Sequence, residues 1–566
     1  MKDKINEAIK KVRKANDDSL KVKIGFSVAL ALLVGFIHFY FFLPAINVRA
    51  VGFWGWLFVI ATSASLPFLD LKMNKQSKIK KGPLVNRKVE ETHMDFNKWV
   101  LIPVCLPLAV IIIGNIISST FFNARSYASI IEVDEYNFSE DMPESNEITN
   151  IALMDTASAT VLGNRVLGSL SDMVSQYTVS DYYTQINFCR TPKKVSNLEY
   201  DGFFKWLGNR DTGIPGMVMV DPVKAGAEYM AFPEPIHYAD SGFFGDDLQR
   251  RLRFSFPTKI FYSTSFETDD EGNPYYIVAC AKPRVGLFGA QDISEVILFD
   301  PVTGEGEIMP VSETPSWVDI VYTGYLACDK YNWQGTLSGG FFNSIIGNVG
   351  CKMATDDFGY IVIEDDVWYF TGVTSVISND KSNIGFILSN ARTGEYKFYP
   401  VIGAEEHSAM AAAEGEVQEK GYVSSFPSLI NLADQPTYIM VLKDAAGVVK
   451  LYALVNVENY SIVATGSTQS EAMVEYKKLL RQSGVGGAVG ESEALITVDE
   501  VRIVPVGGVS TVYITAITGE VYKGYLDSDE ALILVRKNQK INVKYTPTET
   551  DGLYYISEWS FYNDGN

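Results

Sequence analysis

Histidine is nearly missing from this chain of 566 residues: there are four, His38, His93, His237 and His407. A zinc site needs three or four ligands at workable spacing, and no His/Cys/acid cluster supplies them. Cysteine is sparse too, at five. Cys105 lies in an apolar run and reads as packing. Cys189, Cys280, Cys328 and Cys351 lie outside such runs, an even number that an oxidising compartment would allow to pair. Four cysteines permit three pairings, and buried thiols fit the sequence equally well. G-x-S-x-G and P-loop patterns are absent. Acid pairs abound, but none is singled out for acid–base work. We therefore assign no catalytic, metal or cofactor-binding residue and expect no cofactor.

Charge is missing where apolar residues run longest. Ile24–Ile46 carries no Asp, Glu, Lys or Arg, and neither does Gly52–Leu69 or Trp99–Thr120. Each is about long enough to cross ~30 Å of hydrocarbon, the second being the shortest. A span without ionisable groups reads as an anchor and not as an ion path. The first run is too long for a cleaved leader and reads as retained. Basic residues flank these runs unevenly. The tail 1–23 and the loop 70–98 carry eight Lys/Arg each, whereas the link 47–51 carries only Arg49. By the positive-inside rule the tail and the loop are cytoplasmic, and residues after about 121 are extracytoplasmic.

Residues 1–98 hold 17 basic and 8 acidic residues, against 31 and 60 in the remainder. So acidic a remainder repels phosphates and argues against nucleic acid as a partner. Within it the triplet Arg250, Arg251 and Arg253 (LQRRLRFSFP) stands out. It reads either as a helix end paired with nearby acids or as a contact for an anionic polymer or an acidic partner.

Period and punctuation give the rest. Apolar spacing over Ile148–Gln185 predicts one or two helices, with Asp155 and Thr156 as a cap. From Cys189 the pattern becomes strands and turns: MVMVDPV, PYYIVACAK, EVILFDPVTGEGEIM, YIVIEDDVWYF, IGFILSNARTGEYKFYPV and STVYITAITGEVYKGYL. Thr-Gly-Glu recurs at Thr303–Glu305, Thr393–Glu395 and Thr518–Glu520. The stretch Asp221–Met230 aligns without a gap on Asp300–Met309, as a copied module or as convergent turn chemistry. Helices are expected over Ala404–Lys420 and Thr468–Gln482, the latter opened by the capping-box pair Thr468 and Glu471. The run ETDDEGN lacks the acid that a calcium loop needs at its twelfth position, which is Val278. It reads as a solvated turn, and Ser338-Gly-Gly reads as a flexible one.

The fold class expected is α+β: three N-terminal transmembrane helices, then a large ectodomain of antiparallel-sheet modules with packed helices and a small C-terminal β-domain. The divisions are a basic tail (1–23), an anchor (24–120) with its loop (70–98), a tether (121–147), a helix-plus-sheet module (148–310), a second sheet/helix module (311–482), a Gly-rich linker (483–494) and a β-domain (495–566). The helix-then-hairpin units, with the D-P-x-T-G-E turn at Asp300–Glu305 and the preceding strand YYIVACAK, are similar to PepSY-type modules. The resemblance covers about a third of the chain. It implies an extracytoplasmic bacterial domain that binds or restrains other envelope proteins, and it carries over no catalytic residue. The expectation is a membrane-anchored, non-enzymatic scaffold or binding protein of the bacterial envelope. Its partners would be the lipid bilayer, a protein or further copies of itself, and cell-wall polymer. The rival expectation is an extracytoplasmic enzyme, or a regulator of enzymes, acting on wall polymers.

Overall fold

The computed structural model describes residues 2–68, 72–80, 87–95, 101–145, 151, 153–223, 226–355, 357–376, 382–483, 492–506, 509–526, 529–547 and 552–562. Most of the expected Gly-rich linker falls outside them. The chain divides into two compact units, Met1–Asn123 with Tyr238–Tyr262 and Ala279–Glu295, and Ala124–His237 with Ser263–Val278 and Val296–Asn566.

The first unit holds the apolar runs. Lys2–Phe42 is one helix, apolar from Lys21 onward; Val51–Ser65 is a second and continues as a short 3-10 turn, Leu66–Phe68. Among the described residues these two are long and apolar enough to cross a membrane. The third run is a bent pair, Leu101–Ile117 and Thr120–Ala128, which meet at 54° and count as a third span only if taken together. Leu32, Phe36, Phe41 and Ile112 are exposed around these helices. Helices that are apolar on their outer faces suit a lipid solvent. The first two helices meet at Gly35, whose carbonyl accepts the Trp56 Nε1–H at 2.9 Å. A Cβ on Gly35 would lie 3.0 Å from Ile60 Cγ1, so only glycine gives that approach without displacing Ile60. Lys72–Lys80 and Arg87–Asp95, in the basic loop, pair as antiparallel strands.

The second unit is built of sheets with helices against them. Thr191–Tyr200 lies between the short strands Tyr177–Val179 and Thr184–Phe188 on one side and Ile214–Asp221 on the other, with Gly226–Ile236 beyond. The helix Thr156–Gly168 is capped by Asp155, which accepts the Ser158 N–H at 2.8 Å. The helical spacing over 148–185 is thus realised once. The chain leaves the helix after Gly168, turns through Leu170–Gln176 and enters strands. A four-stranded sheet comes next, in the order Gly306–Pro310, Gly289–Phe299, Pro274–Val285, Ile260–Thr268. Its residues 260–262, 279–285 and 289–295 belong to the first unit and the others to the second.

Two further sheets share a core. One runs Lys352–Ala354, Asp366–Ser375, Gly385–Asn390, Tyr396–Tyr399; the other runs Val423–Ser424, Gln435–Lys443, Val449–Asn456, Val463–Gly466. Phe370, Phe386 and Tyr399 of the first meet Tyr438, Met440 and Val455 of the second around Ala409 and Ala413 of the helix Glu406–Glu416. Alternation does the rest, since successive residues of a strand face opposite sides. Ile439, Val441 and Leu454 point away from that core and pack on Ala472, Tyr476 and Leu480 of the helix Gln469–Gln482. Val367, Tyr369 and Ile387 likewise face Ala327 and Tyr331 of the helix Gly324–Leu337. Half of the capping box reads as expected, with Thr468 Oγ1 accepting the Glu471 N–H at 3.1 Å; the return bond is displaced by one residue, the Glu471 carboxylate accepting the Ser467 N–H at 2.8 Å.

Ser492–Val506, Val509–Ala516, Val521–Tyr525, Leu553–Phe561 and Lys540–Pro547 close, in that order, into a barrel. The last strand in space lies beside the first, so four of the five form a Greek key, the plan of five-stranded OB barrels. Its interior is filled by Val498, Val512, Ile514, Tyr522, Ile541 and Val543.

The turns explain the recurring words of the sequence. Asp300 Oδ1 accepts the Val302 N–H at 2.7 Å, and Asn390 Oδ1 accepts the Arg392 N–H at 2.9 Å. In both loops the first residue bonds the Glu of Thr-Gly-Glu backbone to backbone, at 2.9 Å. Gly304 and Gly394 take φ of 74° and 75°, where L side chains are strained. The aligned Asp221 accepts the Val223 N–H at 3.0 Å, the same bond in another sheet. Of the run ETDDEGN only the part from Asp269 is a turn, in which Asp269 Oδ1 accepts the N–H groups of Glu271 and Asn273, at 3.1 and 2.8 Å; Glu267 and Thr268 end the strand Ile260–Thr268 and are buried, not solvated.

Candidate functional site

An exposed apolar surface of the second unit is the loop after the helix Gly324–Leu337. Its sequence, GGFFNSIIGNVG (339–350), has no charge. Phe342, Ile345, Ile346 and Val349 are 68%, 60%, 78% and 79% exposed. Apolar groups at such density are costly in water and mark contact sites. Asn343 holds the loop in shape: its Nδ2 donates to the Val349 carbonyl at 3.0 Å, and its Oδ1 accepts the Val349 N–H at 3.1 Å. A single wide turn, Asn343–Gly347, is closed by the Asn348 N–H on the Asn343 carbonyl at 2.6 Å, with Asn348 left-handed at φ 49°. The apolar side chains are therefore presented on a preformed backbone, which lowers the entropy cost of a contact. The sequence predicts a flexible turn at Ser338-Gly-Gly and no role for the residues 341–349 beyond it. Their signal is in composition and spacing: nine residues with four large exposed apolar side chains at i, i+3, i+4 and i+7, a helical period without charge.

The Arg triplet lies on the helix Leu248–Ser255 of the first unit. Arg250 sits over the Tyr40 ring at 4.3 Å and donates to the Phe244 carbonyl at 2.6 Å. Arg251 lies over Tyr238 at 5.1 Å. Arg253 is buried, lies over Phe261 at 4.0 Å and donates to the Lys259 carbonyl at 2.6 Å. Burial holds its guanidinium below the usual range, down to about 10. The three guanidinium groups thus rest on three different rings. The helix packs against the end of the first apolar helix, where Phe254 meets Phe39 edge-on at 5.4 Å and the Ile46 N–H donates to the Pro257 carbonyl at 2.7 Å.

No disulfide joins Cys189, Cys280, Cys328 or Cys351. Burial pushes the thiols of Cys280 and Cys328 up to about 12, so both are protonated, inert packing groups. Cys189 is exposed at a two-residue hairpin tip, Cys189-Arg190, where both residues take positive φ, 49° and 61°. With Asn187, Asp270, Ser316, Trp317 and Asp365 this tip lines a cleft of about 340 Å³. Desolvation, and then the Asp270 carboxylate, push its thiol up, which opposes a thiolate nucleophile.

Beneath this cleft lie two buried carboxyls, Glu267 and Asp319. Glu267 accepts the N–H groups of Asp319 and Ile320 at 2.8 and 3.0 Å, and Asp319 accepts the Asn187 N–H at 2.7 Å. Burial raises Glu267 to about 7; burial and then Glu267 itself raise Asp319. Both oxygens of Glu267 and one of Asp319 accept backbone N–H groups and neither residue lines the cleft, so the pair joins chain segments. Among the described residues no group of three or more His, Cys, Asp or Glu is placed to hold a metal ion.

No family model and no curated protein matches this chain. Among solved structures, a cobalt-substituted ACO of Synechocystis is 8% identical over 50% of this chain and 46% of its own length, with a TM-score of 0.12. That score carries no argument about fold or function.

Proposed function

We propose that this protein is a membrane-anchored binding or scaffold protein of the bacterial envelope, with the residues after about 121 outside the cytoplasm, acting by association with further copies or a protein partner. The observation that carries this reading is the charge-free loop 339–350. It holds four exposed large apolar side chains on a backbone fixed by Asn343, in a chain that also has two apolar helices fit to anchor it. The orientation rests on the Lys/Arg bias of the tail and loop. The resemblance to PepSY-type modules points the same way.

Crosslinking in native membranes tests it. The wild-type chain should give discrete higher species, and Ile345→Ser with Ile346→Ser should remove most of them without lowering the thermal midpoint. Absence of crosslinked species in the wild type, or their persistence in the double variant, would sink the proposal. Protease added to wall-free cells should cut the second unit and spare the tail; protection of the second unit overturns the orientation.

One observation favours the rival reading, an enzyme or enzyme regulator acting on wall polymers. Asp270 and Asp365 line the same cleft as Trp317, a pairing of acids and an aromatic ring that suits a sugar. Sedimentation with purified wall polymer, lost in Asp270→Asn and Asp365→Asn, would support it over association through the loop.

A further inference from the structure

A second, smaller cavity of about 130 Å³ lies elsewhere in the second unit, lined by Leu153, Asp155, Gln185, Lys194, Tyr360 and Phe426 among others. It differs from the cleft in the state of its polar groups. Gln185 and Lys194 are directly opposed on neighbouring strands, so their side chains leave the same face of the sheet. Both are buried, at 3% and 4% exposure. Gln185 Oε1 has no hydrogen-bond partner. Lys194 makes no hydrogen bond or ion pair among the described residues; its Nζ lies 5.3 Å from the centre of the Tyr360 ring.

Charge does not balance around this cavity. Asp155 is its one lining carboxylate among the described residues, and that carboxylate is taken. It accepts the Lys443 ammonium on one oxygen and the Ser158 N–H at 2.8 Å on the other. One carboxylate thus stands against two ammonium groups, which leaves a buried positive charge. Burial lowers the Lys194 ammonium to about 8, although the Asp155 charge opposes this. An uncompensated buried charge is costly, and an unpaired amide carbonyl adds to the cost. Both costs vanish if an anion with a neighbouring O–H or N–H occupies the space. A cavity of about this size holds a molecule of roughly six heavy atoms.

We propose that this cavity binds a small carboxylate bearing a hydroxyl group, the carboxylate on Lys194 Nζ, the hydroxyl on Gln185 Oε1 and the carbon skeleton between Tyr360 and Phe426. The site lies inside the second unit and is independent of the orientation and association proposed above.

Thermal unfolding and calorimetry of the full-length protein in detergent, at fixed ionic strength, test it with acetate, L-lactate, D-lactate, pyruvate and glycine. At least one enantiomer of lactate should raise the midpoint saturably and more than zwitterionic glycine does, and its uncharged amide should not. Lys194→Met should match or exceed the wild-type midpoint without ligand, and its affinity for the acid should fall roughly tenfold or more. Gln185→Leu should weaken the hydroxy acid and leave acetate unchanged. The proposal is overturned if none of the five acids shifts the midpoint, if acid and amide act alike, or if Lys194→Met responds as the wild type does. Should Lys194→Met fail to fold, Gln185→Leu alone decides: an unchanged preference for lactate over acetate overturns the assignment.

Discussion

Glu267 accepts the backbone N–H of Asp319 at 2.8 Å while its own carboxyl is held beside that of Asp319, both out of water. Such a pair binds protons more tightly folded than unfolded, since burial and like charge both disfavour ionisation. The raised group therefore contributes stability that is full below its unfolded value, near 4.5, and is lost as pH rises through about 7. Asp319→Asn retains an acceptor for the Asn187 N–H and removes the like charge. The thermal midpoint of this variant should fall less between pH 4.5 and 7.5 than that of the wild type; parallel profiles would contradict the coupling.

Glu267→Gln should behave differently. Both oxygens of Glu267 accept backbone N–H groups, so an amide NH₂ would be turned toward one of these donors. A loss of about 1–3 kcal/mol is expected at pH 5, measured by denaturant unfolding of the second unit's fluorescence signal.

Ser118 Oγ accepts the N–H groups of Leu287 and Phe288, at 2.8 and 3.0 Å. Gly286 must stay bare for this, because a Cβ there would lie 2.5 Å from that oxygen. Ser118→Ala strands one buried and one half-buried donor and should cost about 1–3 kcal/mol, with faster amide hydrogen exchange at Leu287 and Phe288. Unchanged exchange would show that the contact is not formed.

Asp155 both caps a helix and receives Lys443. Burial acts to raise its carboxyl, but the hydrogen bonds from Lys443 and Ser158 outweigh it and hold it below the usual value. Its stabilising contribution is present above the unfolded value and lost as pH falls through the depressed one. Asp155→Ala should cost about 0.5–2 kcal/mol for the cap alone at pH 7, and that deficit should shrink in strong acid.

Ala433 and Asp434 form a two-residue hairpin turn with φ of 56° and 57°, a shape that Asn-Gly takes with least strain. Ala433→Asn with Asp434→Gly should stabilise by roughly 1 kcal/mol. A lower midpoint would mean that the present pair makes contacts worth more than the strain.

Much of this was legible in the residues. Apolar runs without charge gave two helices long enough to cross a membrane and one bent pair, and the capping pairs at Asp155 and Thr468 gave helix starts, because both depend on neighbours in sequence. Turn words were legible for the same reason: Asp300 and Asn390 bond backbone only a few positions on. Of the one or two helices expected over 148–185 one forms, and Leu170, Met173 and Val174 keep its spacing without extending it, since a turn can place apolar residues at that period while the chain is leaving the helix.

The sites were far less legible. The Arg triplet stands out by composition, yet its side chains rest on Tyr40, Tyr238 and Phe261. Nothing local marks Lys194 among the Lys residues of its strand, and nothing ties it to Tyr360. The sequence by itself determined which helices are long and apolar enough to cross a membrane, where strands turn and where helices begin, since hydropathy and short-range hydrogen bonds set these. Only the tertiary structure decided which ionisable groups lost their water. The cost of a buried charge depends on every group packed around it, and at Lys194 those groups come from distant strands and loops.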